Sequence, residues 1–266
     1  MAAPRRGQAG GFGVGPLVYG PVPNQAPYAY RSYTGIIPTT EWSVFFDDFY
    51  RAPASNIPFG WGNSLLQTTG TISQNNTAAL GNNGVITMTH ATASQGVVAY
   101  HSGKPIQLQT GKRFFIEARV RTDDVTDNTI QIGLSDLTAT TNATDIFTTT
   151  AANVMSAGIT DQATPAATTT MFVDKANSNP STLVTSGNSA VAIRSMIANN
   201  WHVLALSYDG TSVTCWLDGK LSQIWNGGAA TIPTGVALSP FFGFSNGDGA
   251  GGANVHWDYV RWALER

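Results

Sequence analysis

A chain of 266 residues with a formal net charge of −2 and only 11% charged side chains presents no electrostatic field to nucleic acid or to an anionic membrane. Its polar positions are filled by Thr, Asn, Ser and Gly rather than by ions, and its single cysteine, Cys215, excludes a disulfide framework and a cysteine-based metal cluster. One all-β domain of roughly 220 to 230 residues plus an extension accounts for the length, and no run approaches the roughly 20 apolar residues of a membrane span.

Residues 1–40 form the extension. Pro4, Pro16, Pro21, Pro23, Pro27 and Pro38 interrupt it at intervals that neither a helix nor a paired strand survives. Arg5 and Arg6 open it as they would a signal peptide, but Gly7 to Gly20 is broken by glycines and Pro16 and holds no apolar stretch. The expectation is a protein made and kept in a cytosol, or released from it by lysis. Four of the eight tyrosines, Tyr19, Tyr28, Tyr30 and Tyr33, lie here, and no acidic residue precedes Glu41. Because tyrosine favours interfaces over solvating tails, the segment reads as an extended partner-binding arm, with Arg5, Arg6 and these tyrosines as its contacts.

Residues 41–266 read as β throughout. Val44 to Phe49, Gly84 to His90, Gly96 to His101, Phe114 to Thr122 and Thr129 to Ser135 are short β-branched or aromatic runs. Ala167 to Lys175, Trp201 to Tyr208, Ser212 to Leu217, Leu221 to Trp225, Pro240 to Ser245 and Asn254 to Ala263 continue the series. Turn-forming clusters separate them, the pattern of a two-sheet sandwich. Val191 to Ala198 offers at most a short helical turn. In Phe114 to Arg121, alternation puts Ile116, Ala118 and Val120 on one face and Glu117, Arg119 and Arg121 on the other, predicting one face on a core and one on solvent. Cys215, between apolar neighbours, is expected to be an inert buried thiol.

Two Asp-Gly turns, Asp209-Gly210 and Asp218-Gly219, divide Trp201 to Trp225 into a three-stranded meander of the kind that two-residue hairpin turns build. Trp201-His202-Val203-Leu204-Ala205-Leu206-Ser207-Tyr208-Asp209-Gly210, continuing through Val213 to Lys220, resembles the corresponding stretch of the laminin-G and concanavalin-A-like lectin/glucanase superfamily. Phe46-Asp47-Asp48-Phe49 is similar to that superfamily's first strand and His256 to Trp262 to its last, which pairs near the first. The resemblance implies an antiparallel jelly-roll sandwich over residues 41–266. It implies little about activity, because this fold hosts lectins, hydrolases, adhesion modules and viral structural domains.

The laminarinase-like hydrolases of the superfamily carry their catalytic carboxylates, about 5 Å apart in a retaining enzyme, in a Glu-x-Asp-x-Glu strand. Glu41, Glu117 and Glu265 are the only glutamates, and Arg119 and Arg121 follow Glu117 where acids would stand. Glu117 is therefore expected as a solvated strand residue paired with an arginine, Asp123, Asp124 and Asp127 as ordinary loop residues, and the chain as a protein without enzymatic activity. His90, His101, His202 and His256 are scattered, with no metalloprotease spacing and no Gly-x-Ser-x-Gly elbow; His202 follows the meander tryptophan, where relatives place a packing histidine. A structural calcium shared by the first and last strands of some relatives would here use Asp48 and Asp258; no other cofactor is implied. Glycan binding would use Trp61, Trp225 and Trp262 as stacking faces with Asn226 and Asn246 as hydrogen-bonding amides. Asn246 to Gly252 is a hairpin tip rather than a phosphate loop, having no lysine and no following helix.

A neutral sandwich with a Pro/Gly/Tyr arm resembles in style the capsid decoration, or cement, proteins of tailed bacteriophages. That implies a virion location and a partner such as the major capsid protein or neighbouring virion subunits. It also implies a homo-oligomer, trimeric by analogy, with surface glycans as further ligands and neither nucleic acid nor membrane. An arm of 40 residues spans about 130 Å when extended, and its contacts add to those of the globular part through local concentration. The alternatives are a host-recognition lectin tethered by the arm and, further off, a glycoside hydrolase relative.

Overall fold

Alternating side chains need two sheets to enclose one interior, and the computed structural model shows both. It describes residues 42–47, 49, 61–66, 70–74, 84–90, 96–101, 103–125, 128–136, 153–160, 168–175, 195–225, 232–246 and 253–266. Within these the strands are β1 (Trp42–Asp47), β2 (Gly62–Leu66), β3 (Thr71–Gln74), β4 (Ile86–His90), β5 (Gly96–Tyr100), β6 (Ile106–Gln107), β7 (Phe114–Thr122) and β8 (Asn128–Ser135). They continue as β9 (Asn153–Thr160), β10 (Thr168–Lys175), β11 (His202–Tyr208), β12 (Val213–Leu217), β13 (Lys220–Trp225), β14 (Ala237–Asn246) and β15 (Ala253–Glu265). No helix occurs among the described residues; Ser195–Ala198 is non-helical, and residues 191–194 lie outside them.

An eight-stranded sheet runs β13-β12-β11-β7-β15-β4-β3 with β1 beside β15, and a seven-stranded sheet runs β10-β9-β8-β14-β5-β2 with β6 beside β14. Every strand pair is antiparallel. The first strand pairs with the last, Trp42 opposite Glu265 through Asp47 opposite Val260, as the resemblance implied. Ile116, Ala118 and Val120 of β7 and Leu204 and Leu206 of β11 share one hydrophobic core with Ile130, Ile132 and Leu134 of β8 and Phe242 and Phe244 of β14. Cys215 is fully buried there, and burial pushes its thiol up to about 12, which keeps it protonated and unreactive.

The meander forms as β11, β12 and β13, with its two turns built differently. Asp218 (φ 52°) and Gly219 (φ 73°) make a two-residue turn between Leu217 and Lys220, both in the left-handed region that such turns demand. The Asp209-Gly210 turn is instead a four-residue loop between paired Tyr208 and Val213, its Asp209 carboxylate accepting from the Thr211 and Ser212 amides. That capping carboxylate explains the aspartate as well as a two-residue turn would.

Strands β2, β3 and β9 were not expected from composition. β9, Asn153–Thr160, has few β-branched residues and no aromatic; it is a strand because β8 and β10 pair with it on both edges. Gly158 lets it approach β8: a Cβ there would overlap the Ile130 carbonyl oxygen, and one at Gly133 the Met155 carbonyl oxygen. We expect Gly158→Ala to cost about 1–3 kcal/mol of stability through overpacking, checked by urea denaturation.

His202 explains why a histidine follows the meander tryptophan. Its Nδ1 lies 2.7 Å from Asp218 Oδ2, while Asp218 Oδ1 accepts the Val203 amide at 2.8 Å, so one turn carboxylate ties down the start of β11. The Asp218 hydrogen bond raises the His202 pKa above 6.5 against the opposing effect of burial. A raised folded value means the stabilisation is complete below the unfolded pKa and is lost as pH rises through the folded one. Burial lowers the pKa of His256, which works the other way on global stability, so the test is residue-specific. In an NMR titration, Asp218→Asn should move the His202 midpoint downward and leave that of His256 in place.

Candidate functional site

Side chains of the seven-stranded sheet that point away from the interior form a neutral polar strip. Ser239 on β14 stands opposite Ser135 on β8, which stands opposite Val154 on β9. Beside them run Tyr100, Phe241, Gly133 and Ser156, and then Val98, Gly243, Gln131 and Gly158. Three glycines in neighbouring strands make this floor low, because no side chain rises from it at those positions. The first of these rows continues into β10, where Asp174 stands opposite Val154; Asp136, just past β8, is held at the margin by Asn153 Nδ2 at 2.9 Å.

The strip is buried and incompletely paired. Ser156 Oγ donates to Gln131 Oε1 at 3.2 Å, but Gln131 Nε2, Ser135 Oγ and Ser239 Oγ have no hydrogen-bond partner among the described residues, and all three residues are fully buried. A shielded polar group without a partner costs about 1–3 kcal/mol. Sequence reading missed it, since Ser, Gln and Gly in short strands carry no spacing signal.

The outer face of the eight-stranded sheet is built differently. Glu117 was expected in solvent; it is 3% exposed, bonded to Arg261 Nη2 at 2.8 Å and to the Tyr259 hydroxyl at 2.6 Å. The arginine partner was foreseen, but its position on the paired strand β15 and its burial arise from the fold. Farther along, Arg119 meets Asp258 at 2.6 Å and lies over the Trp201 ring at 4.9 Å, a more exposed pair.

Three tryptophans expected as sugar platforms lie in the core instead. Trp61 is 5% exposed, its Nε1 donating to Asp47 Oδ2 at 2.9 Å; Trp225 is 3% exposed; Trp262 is 8% exposed and stacks on Phe45 at 5.6 Å. Asn246 ends β14 opposite Asn128. Asn226, Asp48 and the arm residues Arg5, Arg6, Tyr19, Tyr28, Tyr30 and Tyr33 lie outside the described residues. Of the calcium candidates, Asp258 faces Arg119 as above, and no group of three or more His, Cys, Asp or Glu residues able to hold a metal occurs among the described residues.

No protein-family model and no curated protein matches the chain. Solved structures do. An endo-1,3-beta-glucanase from Streptomyces sioyaensis superposes with a TM-score of 0.53 at 14% identity, over 87% of this chain and 99% of that one. The Crh5 transglycosylase in complex with NAG gives 0.52 at 12%, over 84% of each. The Emp47p carbohydrate recognition domain gives 0.52 at 12%, over 85% and 98%. The fold is thus the concanavalin-A-like jelly roll, and these neighbours are carbohydrate-cleaving or carbohydrate-binding proteins. The expectation of a chain without enzymatic activity is corrected by them: a glucanase and a transglycosylase stand on this architecture, so a missing Glu-x-Asp-x-Glu run does not remove the chain from the company of enzymes.

The two ion pairs of the eight-stranded sheet should respond differently to mutation. Glu117→Gln leaves Arg261 buried without its counter-charge and is expected to cost about 3–5 kcal/mol. Arg119→Ala at the exposed pair should cost about 1 kcal/mol or less. Urea denaturation of both variants checks the ranking.

Proposed function

We propose that this chain is a glycan-recognising sandwich that reads a neutral, hydroxyl-rich polysaccharide on the outer face of its seven-stranded sheet. The observation that carries this reading is the set of Gln131 Nε2, Ser135 Oγ and Ser239 Oγ, without a hydrogen-bond partner among the described residues, on a glycine-lowered floor. Hydroxyls of a sugar chain both donate and accept, so they match serine and amide groups without a charge. Neighbours named for acting on or binding carbohydrate support the class of ligand.

Isothermal titration with soluble β-1,3-glucan and with N-acetylglucosamine oligomers tests the reading. Binding by the native chain, weakened about thirtyfold in Ser135→Ala/Ser239→Ala through loss of about 1 kcal/mol per bond, supports it; no heat with any glycan on a broad array sinks it. Release of reducing ends in the same mixtures reports whether bound glycan is also cleaved.

A second reading, that the protein is carried on a virion as a capsid decoration protein, is favoured by the arm itself: tyrosines and prolines without an acid before Glu41. The arm would anchor the sandwich to the major capsid protein or a neighbouring subunit, leaving the glycan-reading domain outside. Sedimentation of the native protein from its source tests this. Co-migration with a megadalton particle, lost in a chain starting at Glu41, is the expected result; a small species indifferent to the arm would refute it.

A further inference from the structure

His202 stands at the start of β11 opposite the core residue Val120 and is 6% exposed. Its Nδ1 donates to the Asp218 carboxylate at 2.7 Å. Its Nε2 lies 3.0 Å from the Ile197 amide nitrogen and 3.3 Å from the Ile197 carbonyl oxygen. A neutral imidazole with its proton on Nδ1 keeps a lone pair on Nε2 and accepts the Ile197 N–H. An imidazolium carries a donor on each nitrogen and has nothing to offer that amide. The amide and the carbonyl of Ile197 are therefore alternative partners, and the proton on His202 selects between them.

The turn that hangs on this contact is tied down at both ends. Met196 is 3% exposed and belongs to the core, whereas Ile197 is 62% exposed. The Ile197 carbonyl accepts from the Asn200 amide at 3.2 Å, closing a four-residue turn in which Asn199 has φ 63°. Asn199 donates its own amide to the Thr122 carbonyl at 2.7 Å, and its Oδ1 accepts from Arg121 Nη2 at 3.3 Å. A left-handed residue other than glycine persists only where its surroundings hold it. Here the holding contacts run from His202 on one side of the turn to Arg121 on the other.

We propose that His202 is a proton-operated clasp on the Ile197–Asn200 turn. Neutral, it holds the Ile197 amide. Protonated, it takes the Ile197 carbonyl instead; the turn shifts to bring that oxygen nearer, away from the Asn200 amide, and Asn199 lets go of Arg121 on the outer face of the eight-stranded sheet. Asp218 supplies the charge that the ring senses: its hydrogen bond raises the His202 pKa above 6.5 against burial, so the exchange of partners does not wait for strong acid. The remaining charges are arranged around it. Lys220, two residues beyond Asp218, is exposed; Arg119 and Arg121 flank Val120 and project from the other face of β7; Asp123 and Asp124 follow Thr122. Residues 195–201 carry no ionisable side chain. The inference stands on these contacts and does not depend on the glycan reading.

NMR of the isotopically labelled full chain, titrated from about pH 5 to about pH 9 across the histidine range, tests it. The Ile197 amide resonance is expected to move with the midpoint of the His202 ring. Its protection against hydrogen exchange, corrected for the intrinsic pH dependence, should fall about tenfold when His202 is protonated. An Ile197 amide that stays still through the His202 titration overturns the proposal, as does one that follows His256, whose pKa burial lowers below 6.5. A second measurement uses Asn199→Gly, a residue that adopts the φ of 63° without strain. In the native chain the Arg121 Nε–H resonance should shift at the His202 midpoint; in the variant that shift should vanish while the Ile197 response remains. An Arg121 resonance indifferent to His202 in the native chain, or one still following it in the variant, overturns the proposal.

Discussion

The hydrogen-bond ladder of β15 is the constraint on which the rest of the molecule depends. Thirteen residues at the C-terminal end bond to β7 along one edge and to β4 and β1 along the other, so the first strand is placed by the last. That makes the closing contacts strongly non-local, joining Trp42 to Glu265, the kind that fold late because loop entropy is lost before pairing is gained. The ladder also carries a bulge between Trp257 and Tyr259. Before it, Val255 and Trp257 face the core; after it, Val260 and Trp262 do. One extra residue, Asp258, thus switches the inward parity of the strand and is left where it meets Arg119.

The two outer faces that this pairing creates have different chemistry. On the seven-stranded sheet, hydroxyl and amide groups lie on a low glycine floor, and three of their polar atoms have no partner among the described residues. On the eight-stranded sheet, an apolar cluster surrounds a buried ion pair that is satisfied within the sheet by Arg261 and Tyr259. Glu117, the glutamate nearest to a catalytic pattern in the sequence, lies on the outer face of the eight-stranded sheet, on the opposite side of the sandwich from the polar strip.

Misplaced expectations in the site share one cause. Trp61, Trp225 and Trp262 are chemically suited to sugar stacking, and nothing in their neighbours along the chain shows whether they point in or out. Trp262 faces the core because the bulge has shifted β15, and Trp61 because Asp47, fourteen residues away in sequence, accepts its indole hydrogen. The polar strip was invisible for the complementary reason: Ser135, Ser239 and Gln131 become a set only when β8 and β14 align in register.

The sequence by itself determined the sandwich: short alternating runs, the two Asp-Gly turns, the inward set of Ile116, Ala118 and Val120, and the pairing of the first strand with the last. Those features are local, fixed by side-chain period and by the backbone angles that Asp and Gly accept, or they were carried by the resemblance of the meander and end strands. Only the tertiary structure decided that Ser135, Ser239 and Gln131 share one face, that Glu117 is buried, and that β9 is a strand at all. Each of these depends on cross-strand register between residues far apart in the chain, and register is set by the assembled ladders and by the bulges within them, which leave no periodic trace in the sequence.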